Sequence, residues 1–354
     1  MISVIFTLDY EIYGNGQGSL EELALEPTRR LAEIFKEFAV PLVVFAEAIE
    51  LAKIKETQSD PAISAIEQQL RSLRAAGHEI ALHLHPWWAN AHYEKGTWHL
   101  DWTERNLCAL PAARIEEVVA GAVSYLRCAL ADPLYTPHSY RGGLWLMQPT
   151  QNMARVLSRH GIRVDSSVFK GGRTRALGLD YRPALRNGSD WRFSSDVNVP
   201  DNGGPLWEIP IYTEMVPFWR MLGRKRLRIQ RKMPEAANGA PLPRRWLDFL
   251  RFRYPQKLDF CRMTLPELAR MVDLVRQEDR RTPEVFKPVV SIGHSKDLVD
   301  FDTITTFLDW LRKRSISVIT LGALTRDHFP LFRATPPHPE TDGASRAAPA
   351  MASS

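Results

Sequence analysis

Met1-Ile2-Ser3-Val4-Ile5-Phe6-Thr7-Leu8-Asp9-Tyr10-Glu11 opens the chain and decides how the rest is read. Ile2 to Leu8 is β-branched and apolar on both faces, which is the composition of a strand inside a parallel sheet. The run ends in acid. On extended backbone Asp9 and Glu11 point the same way, because side chains repeat every two residues. Outward from this stretch the pattern recurs. Residues 27–38 carry Leu31, Ile34, Phe35 and Phe38 at helical spacing, Pro41 to Phe45 reads as a second strand, and Asp60-Pro61 opens a helix running to about Ala76. His78 to His83 reads as a third strand, followed by an aromatic, His-rich loop through Trp102 and a helix over 111–130.

Downstream, short strands are expected near Leu134 to Tyr140, Ile162 to Asp165, Pro205 to Ile211, Pro288 to Ile292 and Ile316 to Thr320. Helices are expected over 149–160, 265–277 (Thr264 as N-cap) and 303–313. Regular alternation of strand and helix, with polar residues collected just after strand ends, predicts an α/β fold: a distorted (β/α) barrel with its site at that face. Two stretches depart from it. Residues 220–262 read as a basic insertion within a barrel spanning 1–325, and the Pro-, Ala- and Ser-rich residues 334–354 read as a disordered tail.

With 354 residues, 44% hydrophobic and 25% charged, the composition is that of a globular chain and excludes disordered, fibrous or membrane-spanning classes. Cys108, Cys128 and Cys261 form no CxxC pair and read as free thiols. The N-terminal run lacks the features of a secretory signal, so the expectation is a cytoplasmic protein. The net charge of +5 is unevenly spread. Residues 220–257 hold 12 Lys and Arg against Glu235 and Asp248, a net +10, which leaves the remainder at −5. That appendage fits a peripheral anionic membrane surface or a diphosphate-linked substrate, or else a solvated loop; no nucleic-acid motif accompanies it.

Several residues could do chemistry. Asp9 and Glu11 fit either a solvated turn or a general base beside a hard metal ligand. His83 and His85 share the i, i+2 spacing, and with a carboxylate from a neighbouring strand they make a two-His-one-carboxylate set; the bland reading is surface histidines. His78 reads as structural, and His92 and His99 as substrate contacts. Arg141, in Ser139-Tyr140-Arg141-Gly142-Gly143, can orient a carboxylate where glycines permit close approach or positive φ. Asp165 and His294 each close a late strand. Glu208 adds a further carboxylate.

In order, these pieces resemble the polysaccharide deacetylase family, carbohydrate esterase family four, whose NodB-like domain is a distorted (β/α) barrel carrying a divalent metal. Thr7-Leu8-Asp9 resembles its first motif, with Tyr10 in place of a second Asp; the resemblance implies Asp9 as base and Glu11 as metal ligand. Gly77-His78-Glu79-Ile80-Ala81-Leu82-His83 resembles the second, whose later His falls at Trp87, so His85 stands in. Arg141-Gly142-Gly143 resembles the third, Asp165 the fourth, whose Asp supports that Arg, and Val289 to His294 the fifth, which ends in the catalytic acid. The implied activity is removal of an N-acetyl group from an amino sugar or surface-polysaccharide precursor, nucleotide- or lipid-linked, with zinc as the implied metal. Tyr10 and Trp87 keep two rivals open. One is a metal-independent amide or glycoside hydrolase on the same fold. The other is an inactive carbohydrate-binding protein that stacks sugars on Trp87, Trp88, Trp98 and Trp102.

Overall fold

The structure, a computed structural model, describes residues 1–221, 225 and 253–328. Most of the basic insertion and the whole of the expected tail therefore lie outside the described residues. Among the described residues nine strands form the main sheet: β1 (Ile2–Tyr10), β2 (Val43–Glu47), β3 (Glu79–Leu84), β4 (Ser139–Gly142), β5 (Val164–Asp165), β6 (Trp191–Phe193), β7 (Leu206–Glu208), β8 (Lys287–His294) and β9 (Ser317–Val318). Their order is β6-β7-β5-β4-β3-β2-β1-β8, with β9 beside the first half of β1. Every pairing is parallel except β6 with β7. Regular pairing stops short of a closed cylinder. Residues 209–212 fill the gap through single bridges, Ile211 pairing with Phe169 on one side and Val290 on the other. This is the expected distorted barrel.

Its helices are α1 (Glu26–Glu37), α2 (Ala48–Thr57), α3 (Ile63–Ala75), α4 (Ala112–Ala129), α5 (Gln151–Arg159), α6 (Leu265–Asp279), α7 (Phe301–Arg312) and α8 (Leu321–His328). Val4 to Ile12 is buried, as a two-faced apolar strand requires, and the Phe6 ring meets Phe35 of α1, Phe307 of α7 and Phe260 edge to face. Thr264 and Glu267 form the capping box that starts α6. Asp60 does not cap α3. Its Oδ1 accepts from Ala62 N–H and its Oδ2 from Leu20 N–H, so it ties a preceding turn to the chain after β1. Sequence reading also missed α2, whose first amides, at Ile49 and Glu50, are capped by Glu47. All three cysteines are free, and no helix among the described residues is long and apolar enough to cross a membrane.

Candidate active site

Parallel pairing sets the site's geometry, because strands in register end at one level. Asp9 lies beside His294, Glu47 beside His83, His83 beside Arg141, and Asp165 beside Glu208. The sheet thus gathers residues from seven strands at its carboxyl edge, where parallel β/α proteins carry their sites. The two-residue period holds at the end of β1. Tyr10 turns to the opposite side, is fully buried and donates to Gln69 Oε1 at 2.7 Å, while Asp9 and Glu11 face the site.

Asp9 Oδ1 accepts from Arg141 Nη1 at 2.7 Å, and Asp9 Oδ2 lies 3.5 Å from His294 Nε2. Burial raises the Asp9 carboxyl, but Arg141, His83 and His294 outweigh it and hold the pKa below its usual value. Arg141 is fully buried and uses four of its five N–H donors here: Nη1 also reaches Thr7 Oγ1, Nε the Ser166 carbonyl, and Nη2 Ser166 Oγ. Its support differs from the expectation. Asp165 makes no ion pair with Arg141 among the described residues; it accepts from Ser167 Oγ at 2.6 Å, and Ser167 in turn accepts the Gly142 amide. Ser166 supports the arginine directly, whereas Asp165 fixes the backbone that carries it.

Glu11, His83 and His85 are buried with one ligand atom each inside 4.8 Å of the others. Glu11 Oε2 lies 3.6 Å from His83 Nε2 and 3.3 Å from His85 Nδ1. His83 Nδ1 donates to the Arg141 carbonyl at 2.8 Å, which leaves Nε2 as the free ligand atom, the outer-shell arrangement usual for ligating histidines. Burial lowers His85 to about 3, so its ring is neutral. Burial raises Glu11, yet Lys296 and the two histidines bring it well below the carboxylate range, so it is ionised. Two neutral-capable imidazoles and an ionised carboxylate are the forms a zinc-type ion takes, so the donor set fits a divalent metal. Two features oppose it: Lys296 Nζ already occupies Glu11 Oε1 at 2.8 Å, and Glu47 Oε2 lies 3.0 Å from His85 Nδ1, the ring nitrogen that faces Glu11.

Several participants escaped the sequence reading. Glu47 Oε2 meets His85 Nδ1 at 3.0 Å while its Oε1 caps α2. It closes β2 as Asp9 closes β1, so the strand-end rule could have found it. Trp87, where the resemblance placed a second histidine, packs tilted against His85 with ring centroids 4.4 Å apart and backs its ring. Trp87 and Trp88 are buried, so the expected sugar platform is packing at those two positions; the half-buried Trp145 is the aromatic wall that faces His294, 6.1 Å away. Lys257 Nζ lies 2.9 Å from the Trp145 ring centroid, and burial drives its amine well below the lysine range. His294 Nδ1 faces Asp297 Oδ2 at 3.6 Å, and Arg262 holds that carboxylate at 2.6 Å. Burial lowers the His294 pKa. Gly142 and Gly143 do not use positive φ. They supply close approach instead, since a methyl on Gly142 would strike the Leu146 carbonyl and one on Gly143 the His85 ring. His78 is structural and accepts the Leu42 amide at 3.0 Å.

No protein-family model matches this sequence, nor does any curated protein. Solved structures do match in fold. A candidate polysaccharide deacetylase from Mycobacterium smegmatis superposes with a TM-score of 0.52 at 15% identity, over 95% of this chain and 92% of its own. Puue allantoinase matches with a TM-score of 0.50 at 15% identity over 94% and 91%. A GH57 branching enzyme from Thermococcus kodakaraensis gives 0.52 at 12% identity over 92% and 71%. The chain has the NodB-like distorted barrel that the resemblance implied.

Proposed function

We propose that the chain is a hydrolase that removes the N-acyl group of an amino sugar by cutting a non-peptide carbon–nitrogen bond. The observation that carries this reading is the placement of Asp9 between Arg141 and His294, two residues from the Glu11, His83 and His85 donor set. Glu11, His83 and His85 would hold the divalent metal, which when bound supplies a Lewis acid for the carbonyl oxygen and a water of lowered pKa. Arg141 keeps Asp9 ionised and fixes its Oδ1, so that Oδ2 is the basic atom. Water adds to the acyl carbon as Oδ2 takes its proton. As the C–N bond breaks, that proton passes from Oδ2 to His294 Nε2, 3.5 Å away, and on to the leaving nitrogen, giving acetic acid and a free amine. Trp145 closes the substrate side.

The test is acetate release from a panel of N-acetylated sugar nucleotides and lipid-linked sugars by the metal-loaded protein. Asp9→Asn and His294→Ala are each expected to lose about 10²- to 10⁴-fold in turnover while remaining folded. Near wild-type release by both would overturn the assignment. A basic 220–257 stretch supports a diphosphate-linked substrate or attachment to an anionic membrane surface in the cytoplasm. Lys296 on Glu11 favours the metal-independent version of the same hydrolysis, with its ammonium already supplying the counter-charge. Activity that survives chelation, with no metal in the purified protein, would select that version.

A further inference from the structure

The loop after His85 contains a β-hairpin, His92–Glu94 paired antiparallel with Thr97–His99. Lys95 (φ 50°) and Gly96 (φ 81°) turn it, both at positive φ as a type I′ turn demands, and this tight turn fixes the register. In that register His92 faces His99 and Glu94 faces Thr97, all on one side, while Tyr93 and Trp98 share the other. The Tyr93 and Trp98 side is anchored: Trp98 packs edge to face on Trp88, and a Cβ at Gly16 would meet the Trp98 side chain at 2.8 Å. The His side is left to solvent. His92 and His99 stack with ring centroids 4.8 Å apart and planes 9° from parallel, and the three side chains offer ligand atoms all within 4.8 Å of one another.

We propose that His92, Glu94 and His99 form a second, exposed site for a divalent transition ion of the zinc class, separate from the buried donor set. Two imidazoles and a carboxylate are the donors such ions take. Ligand atoms on a tetrahedral Zn²⁺ at ~2.0–2.1 Å stand about 3.3 Å apart, a closure within reach of side-chain rotation at exposed positions. The anchored Trp98 side keeps the two strands from having to move. The only charge partner of Glu94 among the described residues is Lys95, at 3.1 Å on the surface, an exposed pair of little strength that a dication displaces. An ion here ties the two strands together beside the loop that carries Trp87 and His85.

Equilibrium dialysis of the untagged full chain against Zn²⁺, with metal counted per chain, tests the site. His83→Ala removes the buried donor set from the count. In that background one bound Zn²⁺ is expected to remain, and to be lost on adding His99→Ala or, independently, His92→Ala; Lys95→Ala should retain it. Should the buried set bind no metal at all, wild type would carry this single ion and His99→Ala would still lose it, so the two readings fail separately. Equal Zn²⁺ counts with and without His99→Ala, in both backgrounds, would overturn the proposal. The three hairpin substitutions are at exposed positions, and unchanged thermal unfolding in the absence of metal verifies that the fold is intact.

Discussion

Asp9 and Arg141 form a fully desolvated ion pair, Oδ1 to Nη1 at 2.7 Å, linking the end of β1 to β4 across two intervening strands. The pair does two things together. It holds the base in its ionised form and it satisfies a guanidinium that has no access to water. Removing one partner of such a pair leaves an uncompensated buried charge, which typically costs about 3–5 kcal/mol.

The two partners are therefore not equivalent under substitution. Arg141→Met strands the Asp9 carboxylate and also empties the donors to Thr7, Ser166 Oγ and the Ser166 carbonyl. It is expected to lower unfolding free energy by about 3–5 kcal/mol. Asp9→Asn keeps an acceptor for Nη1 and the full Ser166 set, and is expected to lose activity with a smaller loss of stability than Arg141→Met. Urea unfolding of both variants compares them directly; equal destabilisation would mean that the arginine's bonds to Ser166 carry little.

Gly143 is predicted to matter through His85. A methyl there collides with the imidazole and, at 2.6 Å, with the Leu84 carbonyl. Gly143→Ala should displace the ring from Glu11 and cost about 1–3 kcal/mol as an overpacked site. Glu47→Ala reaches the same ring from the other side. It frees His85 Nδ1 and uncaps α2, with metal affinity expected to fall about 10- to 100-fold. Zinc titration of each variant checks this, and unaltered affinity in both would remove His85 from the ligand set.

How far the sequence disclosed this site follows from how each residue is held. Asp9, Glu11, His83 and His294 end continuous apolar strands, and the two-residue period alone orients them. Arg141 was visible because glycines flank it, although their use is close packing and not positive φ. Ser166, Asp297, Lys257 and Trp145 carry no periodic signal: they sit just past a strand, in single 3-10 turns or, for Lys257, at the end of a short strand outside the main sheet, where tertiary contacts set the path. Helix α2 was missed for a related reason, since its cap is a glutamate that also belongs to a strand end. Trp87 and Trp88 misled because an aromatic loop looks alike whether it packs inward or binds sugar.

Trp145 gives a sharper test of the substrate side. Its ring stands edge-on to His294 and carries Lys257 over one face. Trp145→Ala removes a wall that binds substrate without touching the reacting bond, so KM should rise on the order of 2- to 10-fold, the worth of one aromatic contact, with kcat nearly unchanged. A loss confined to kcat would place Trp145 in the transition state's surroundings instead.

The last prediction concerns pH and two carboxyls away from the metal ligands. Asp165 and Glu208 are Cα partners on β5 and β7, and neither Asp165 Oδ2 nor Glu208 Oε2 has a donor among the described residues. A single proton shared between them satisfies both atoms. Burial, followed by the neighbouring Asp165, raises Glu208 well above its ordinary 4.5, and burial raises Asp165 as well. The native state thus keeps a proton that the unfolded chain gives up. The associated stability is complete below pH 4.5 and is lost as pH climbs towards the raised native value. Glu208→Gln should flatten this dependence, because the amide still accepts from Val168 N–H and donates permanently to Asp165. Denaturant unfolding from pH 4.5 to pH 8 should show wild type falling relative to the variant by up to about 1.4 kcal/mol per pH unit. Parallel curves would mean that the two carboxyls ionise independently and share no proton.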